Sequence, residues 1–143
     1  MKIALQQARK ALELKEVPVG AVVLKKGEVI SVGHNLRENL KDPTAHAEMI
    51  ALRRAAQKLG GWRLLDCHIY VTVEPCFMCA SAIIQSRVKK VFFGAFEPKM
   101  GGMGSKIDLI KHFKADVEVV SGVCEHESKQ LLNDFFVELR KRN

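Results

Sequence analysis

Hydrophobic and polar positions follow two rhythms along the chain. Over residues 2–15, Ile3, Leu5, Ala8, Ala11 and Leu12 recur near helical spacing, which predicts an amphipathic first helix. Residues 17–24 are almost unbroken apolar, as in a strand covered on both faces, with Pro18 at its start where proline is tolerated. A polar turn at 25–28 leads to a second strand at 29–33, giving a hairpin. A polar loop follows from His34 to Thr44, in which Asn35 has the ordinary role of a turn residue and His34 reads as surface. Residues 45–59 are rich in Ala, Leu, Met and Arg and predict a helix that stops at Gly60-Gly61, with Arg53 and Arg54 outward.

The second half alternates between strand and helix. A strand at 68–73, a helix at 77–86 and a strand at 90–95, with short links, imply a right-handed parallel crossover. Arg87, Lys89 and Lys90 fall at the end of that unit away from the cysteines and read as solvated. Residues 96–105 are a glycine-rich loop at the carboxyl end of a strand, where ligands bind in open α/β sheets and glycine lets backbone approach them. A short helix at 107–113, a fifth strand at 116–120 and a last helix from Cys124 or Glu125 towards Arg140 complete the chain. In that helix Leu131, Leu132, Phe135, Phe136 and Leu139 form a stripe that reads as core packing, while Arg140-Lys141-Arg142 is a basic end that could meet RNA. The expected fold is α/β: one domain over residues 1–143, three layers α/β/α, with a mixed five-stranded sheet.

Composition narrows the class. A chain of 143 residues with 48% hydrophobic and 27% charged residues is one globular domain with a real core. No apolar run approaches a membrane span, and the start lacks the long apolar segment of a secretory signal. Cysteines 67, 76, 79 and 124 do not make a disulfide framework, which fits a reducing cytoplasm. The net charge of +7 favours polyanionic partners, nucleic acid among them.

The chemistry concentrates at Pro75-Cys76-Phe77-Met78-Cys79 and His46-Ala47-Glu48. Cysteines at i and i+3 share a helix face, and Pro75 suits the first helical position. The dipole at a helix start favours thiolates. A lone Cys-x-x-Cys is also the pattern of a redox pair or of half a Cys₄ site. No second such pair is present, and no thioredoxin-like surround. With His46 as a third ligand, zinc would keep its fourth position for water, the catalytic pattern. Glu48 is then the acid near that water. Residues two apart do not share a helix face, so His46 and Glu48 reach one point only if their helix aims its N-terminal end there. Asp42-Pro43-Thr44 reads as such an end, with Thr44 a candidate N-cap.

His-x-Glu followed by Pro-Cys-x-x-Cys is the zinc nucleobase deaminase signature. The chain resembles the bacterial tRNA-specific adenosine deaminases of the cytidine deaminase-like superfamily over nearly its whole length. The resemblance is carried by Glu16-Val17-Pro18-Val19-Gly20-Ala21, Gly33-His34-Asn35, Asp42 to Glu48, Tyr70 to Cys76, Gly101 to Ser105 and Leu131 to Phe136. It implies a cytidine deaminase-like fold and conversion of adenosine to inosine at the wobble position of tRNA anticodons. It further implies one Zn²⁺ per chain on His46, Cys76 and Cys79, with Glu48 as proton carrier. Asn35 matches an asparagine that binds the nucleoside, and Ala47 and Glu97 are the other expected substrate contacts. The family often has aspartate where Glu97 stands. The implied partners are a tRNA anticodon stem-loop and a second copy in a homodimer, in the cytoplasm and away from membranes. Cytidine deaminases differ at Phe77 and Ala80-Ser81. Guanine deaminase, whose motif is similar, is the alternative enzyme, and a zinc-stabilised RNA-binding module without catalysis is the alternative outside enzymes.

Overall fold

A computed structural model describes all 143 residues. In chain order the elements are α1 (Lys2–Glu13), β1 (Gly20–Lys25), β2 (Glu28–His34), α2 (Arg37–Leu40), α3 (Ala47–Leu59), β3 (Cys67–Val73), α4 (Phe77–Gln85), β4 (Lys90–Ala95), α5 (Leu109–His112), β5 (Glu118–Val120) and α6 (Glu125–Arg142). The sheet order is β2-β1-β3-β4-β5. β1 is antiparallel to both β2 and β3, while β3, β4 and β5 run parallel. The expected mixed five-stranded sheet is present. α1 and α6 cover one face, and α3, α4 and α5 lie on the other.

The main core lies between the sheet and α3 and α4. Ala21, Val23, Ile69, Val71, Val91 and Phe93 from the strands meet Ala51, Ala55, Ala80 and Ile83 from the helices, all buried. Small residues on α3 let it lie close to the sheet, and Gly33 takes this furthest. A Cβ there would overlap the Ala47 carbonyl and the Ala51 amide, both backbone. The approach fixes the first turn of α3 over the end of β2.

Strand polarity decides where a site can form. The register pairs Gly20 with His34 and Ala21 with Val71, so β1 begins where β2 and β3 end. At the opposite end Lys25 pairs with Glu28 and with Cys67. α3 and α4 both start at the first of these ends.

Several predicted segments are corrected. β1 starts at Gly20, not at 17, because the Val19 amide turns back to the Val17 carbonyl at 2.9 Å. The loop 34–44 contains the short helix α2, held by Glu16, whose Oε1 accepts from the amides of Glu38 at 2.6 Å and Asn39 at 3.2 Å. The stripe on α6 is not core packing: Ser128 alone is buried on this helix, and Phe136 and Leu139 are 41% and 40% exposed. Length explains it. Eighteen residues make a helix of about 27 Å, whereas the six-residue β4 beneath it spans only about 20 Å. α6 therefore overhangs the sheet.

Candidate active site

The two helices that point at the common end of β1, β2 and β3 carry the motif at their first positions. His46 is the N-cap of α3, in an extended conformation at φ −77° and ψ 153°. Ala47 and Glu48 follow as the first two helical residues, so a cap and a first-turn side chain reach one point, which the flank of a helix would forbid. Thr44 is not the cap. Its amide and hydroxyl both donate to Asp42 Oδ1, at 2.8 and 2.7 Å, in a turn that precedes the helix. These bonds hold the Asp42 carboxyl below its usual pKa. Cys76 is likewise the N-cap of α4, with Cys79 in its first turn. Pro75 stands one residue before the cap, not inside the helix as expected. It remains in an extended stretch because its carbonyl accepts from Gly102 at 2.8 Å and Cys76 pairs with Gly101.

Neither cap makes a side-chain hydrogen bond to its helix. His46 and Cys76 turn instead towards each other. Nδ1 of His46 lies 3.6 Å from Sγ of Cys76 and 3.5 Å from Sγ of Cys79, and the three ligand atoms all lie within 4.8 Å of one another. With zinc bonds of about 2.3 Å to sulfur and about 2.0 Å to nitrogen, neighbouring corners of a tetrahedron are about 3.5 Å apart. The nitrogen–sulfur spacings found match those edges, so the donor set fits zinc in both chemistry and geometry. Cys67 and Cys124 lie outside the cluster.

Electrostatics follows from the same contacts. The neighbouring Cys79 side chain holds Cys76 down to about 4, with further help from His46. The thiol of Cys79 is pushed up by Cys76 beside it and by burial. His46 is raised by its bond to Cys76. Glu48 is 4% exposed, and burial raises its carboxyl to about 7. An acid near neutrality can both take and return a proton at physiological pH.

A cleft of about 440 Å³ opens over the cluster, and all three expected substrate contacts, Asn35, Ala47 and Glu97, line it with His46, Glu48 and Cys76. Val17, Val73, Met78 and Met100 supply apolar walls, and the exposed Arg37 stands at its rim. Asn35 is buried and oriented: Oδ1 accepts from the Arg37 amide at 3.2 Å, and Nδ2 donates to the Val17 carbonyl at 3.3 Å. One amide proton of Asn35 remains for a ligand. Glu97 uses Oε1 to accept from the Lys99 amide at 2.9 Å, which fixes its own loop.

Two residues around the cleft were not singled out from the sequence. Glu16 and Glu74 are 1% and 3% exposed, and each spends its carboxylate on the backbone of a loop flanking the cleft. The signal was an acid one or two residues before a proline at the edge of an apolar run, Glu16-Val17-Pro18 and Val73-Glu74-Pro75.

Known proteins agree with this architecture. A family described as MafB19-like deaminase matches residues 1–140. A tRNA-specific adenosine deaminase of Bacillus subtilis (strain 168) is 50% identical over 144 residues, covering 99% of this chain and 89% of that protein. The tRNA-specific adenosine deaminase of Aquifex aeolicus (strain VF5) is 44% identical, covering 98% of this chain and 93% of that protein. A solved structure from studies of A-to-I editing by tRNA:A34 deaminases superposes with a TM-score of 0.89 at 41% identity, covering 92% of this chain and 97% of that one. The chain belongs to the MafB19-like deaminases, within the group of tRNA-specific adenosine deaminases.

Proposed function

We propose that this enzyme hydrolyses adenosine to inosine at the wobble position of tRNA anticodons, with one zinc ion held by His46, Cys76 and Cys79. The observation that carries the reading is Glu48: a buried acid, outside the three-ligand cluster, on the wall of a cleft sized for a nucleoside. A purely structural metal site has no use for such an acid. When bound, zinc with three protein ligands supplies a water of lowered pKa.

The protein's own groups do the rest. Glu48 takes a proton from the attacking water, delivers it to the purine ring nitrogen beside C6, and then assists departure of the amino group as ammonia. The oxygen of water is left on C6, giving inosine. Asn35 holds the nucleoside through its free amide proton. Ala47, with no side chain beyond Cβ, lets the base lie over the start of α3, and Glu97 bounds the outer edge of the cleft. Arg37 at the rim and the net charge of +7 favour the phosphates of a loop.

A single-stranded anticodon loop suits this cleft, because a base inside a duplex must first be unstacked. The second copy in a homodimer rests on the resemblance to the tRNA-specific adenosine deaminases. No helix is long and apolar enough to cross a membrane. Free thiols and an RNA substrate support a cytoplasmic enzyme.

The test is a panel of substrates: an arginine-tRNA anticodon stem-loop with adenosine at the wobble position, the matching duplex, free adenosine and guanine. Inosine in the stem-loop, read by sequencing, is the expected product. Turnover of guanine with an inert stem-loop would replace this function with guanine deamination.

A further inference from the structure

Glu74 stands two residues before Cys76, lines the cleft and has no part in the proton transfers assigned to Glu48. A carboxylate this buried needs partners for its oxygens. One oxygen accepts from the Glu97 amide at 3.1 Å and from the Ser105 hydroxyl. The other accepts from the amides of Met103 and Ser105, each at 3.1 Å. Every one of these donors lies in the loop 97–105, and none lies in the metal cluster. The amide of Glu74 also donates to the Ala95 carbonyl at 2.8 Å, at the end of β4, where that loop departs.

The loop brings Glu97 and Met100 to the cleft wall. It contains Gly101, Gly102 and Gly104, whose backbone is free to range. The Gly102 amide on the Pro75 carbonyl and the Gly101–Cys76 bridge hold its middle. Glu74 alone ties its two ends, at Glu97 and at Met103 and Ser105, to that turn. Gly101 records how closely the anchor fits. A Cβ at that position would overlap Oε2 of Glu74 and the Glu97 carbonyl.

We infer that Glu74 is a positioning residue whose carboxylate gathers the loop 97–105 against the Pro75-Cys76 turn, setting the substrate-facing wall at a fixed distance from the metal ligands. It acts through Glu97 and Met100. Its loss weakens substrate binding because the loop must then be ordered when RNA arrives. The RNA half of this inference rests on the proposed function; the anchoring half does not.

Glu74→Gln keeps the size of the side chain but sets an NH₂ group against at least one amide donor. Zinc content should match that of the unaltered protein and kcat should stay within about twofold, while KM for the stem-loop rises about tenfold, the scale of one lost charged hydrogen bond. Amide hydrogen exchange at Glu97, Met103 and Ser105 should accelerate. Gly101→Ala displaces the same carboxylate and should give the same split, and the double variant should be no worse than either single one. Unchanged KM and exchange in these variants, or effects that add in the double variant, would overturn the inference. Loss of zinc in Glu74→Gln would overturn it too, by making Glu74 a support of the ligands. If Glu74→Gln does not fold, Gly101→Ala and Ser105→Ala carry the same comparison. Exchange is read in RNA-free protein, so a stem-loop inert with the unaltered enzyme would sink the proposed function while leaving the anchor to be judged on exchange alone.

Discussion

Nδ1 of His46 lies 3.5 Å from Sγ of Cys79, although 33 positions separate them in the chain. The contact exists because two helices, α3 and α4, start at the same end of the sheet. Each contributes its N-cap to one point, and neither cap spends its side chain on its own helix. Replacing Cys76 or Cys79 by Ala should therefore remove both zinc and activity. Cys67→Ala and Cys124→Ala should retain the metal, since neither sulfur reaches the cluster. Metal analysis of folded variants checks this, and zinc loss in Cys67→Ala would require a different ligand set.

Glu48→Gln should keep zinc and RNA binding while losing most turnover. General acid–base assistance is typically worth ~10²–10⁴-fold, and one carboxylate handling successive transfers belongs at the upper end. Single-turnover deamination of the stem-loop measures it. A variant retaining a tenth of the normal rate would make Glu48 a bystander.

Salt should weaken the stem-loop and spare small substrates. The logarithm of affinity should fall with the logarithm of salt concentration by about 0.7 per neutralised phosphate for single strands. Arg37→Gln should flatten that slope, since it removes a cation from the rim of the cleft. Binding titrations at several salt concentrations test both statements. A slope near zero in the unaltered protein would remove the role assigned to the positive charge.

His34 makes a pH prediction of definite sign. Its ring is partly buried, with Nδ1 3.0 Å from Gln7 Oε1, and burial, then Arg54 and Lys10, lower its pKa. Glu16 acts weakly the other way. Below the unfolded value of about 6.5 the unfolded chain binds the extra proton first, so stability is full above that pH. It falls as the pH drops towards the folded value. His34→Gln should show a smaller loss of Tm between pH 7 and pH 5.5 than the unaltered protein. Equal losses in the two proteins would show that His34 does not contribute.

Much of this architecture was legible in residue order. Ala-rich α3, the Cys67–Val73 strand and the parallel step to β4 announce themselves by periodicity, and the joint His-x-Glu and Cys-x-x-Cys spacing announces the metal cluster. What stayed hidden depends on contacts that pattern does not carry. α2 is four residues long, and its second and third amides, Glu38 and Asn39, depend on Glu16, a residue more than twenty positions away. Thr44 looks like a cap by type, but Asp42 claims its amide and hydroxyl, so the capping position passes to His46. Phe136 and Leu139 have core-like spacing, yet α6 leaves both exposed. The glycines at 101 and 102 suggested room for a ligand, whereas they make room for Glu74, Ala80 and the Cys76 carbonyl.

The strand polarity that gathers the site at one end of the sheet leaves the hairpin turn at Lys26-Gly27 at the other. Both residues are exposed, and a Cβ on Gly27 would meet nothing. Six residues of β1 put that turn about 20 Å from the cleft. A fluorophore, a purification handle or a whole fused domain inserted there would hang from the far pole of the molecule, free to be enlarged while the anticodon loop enters from the opposite side.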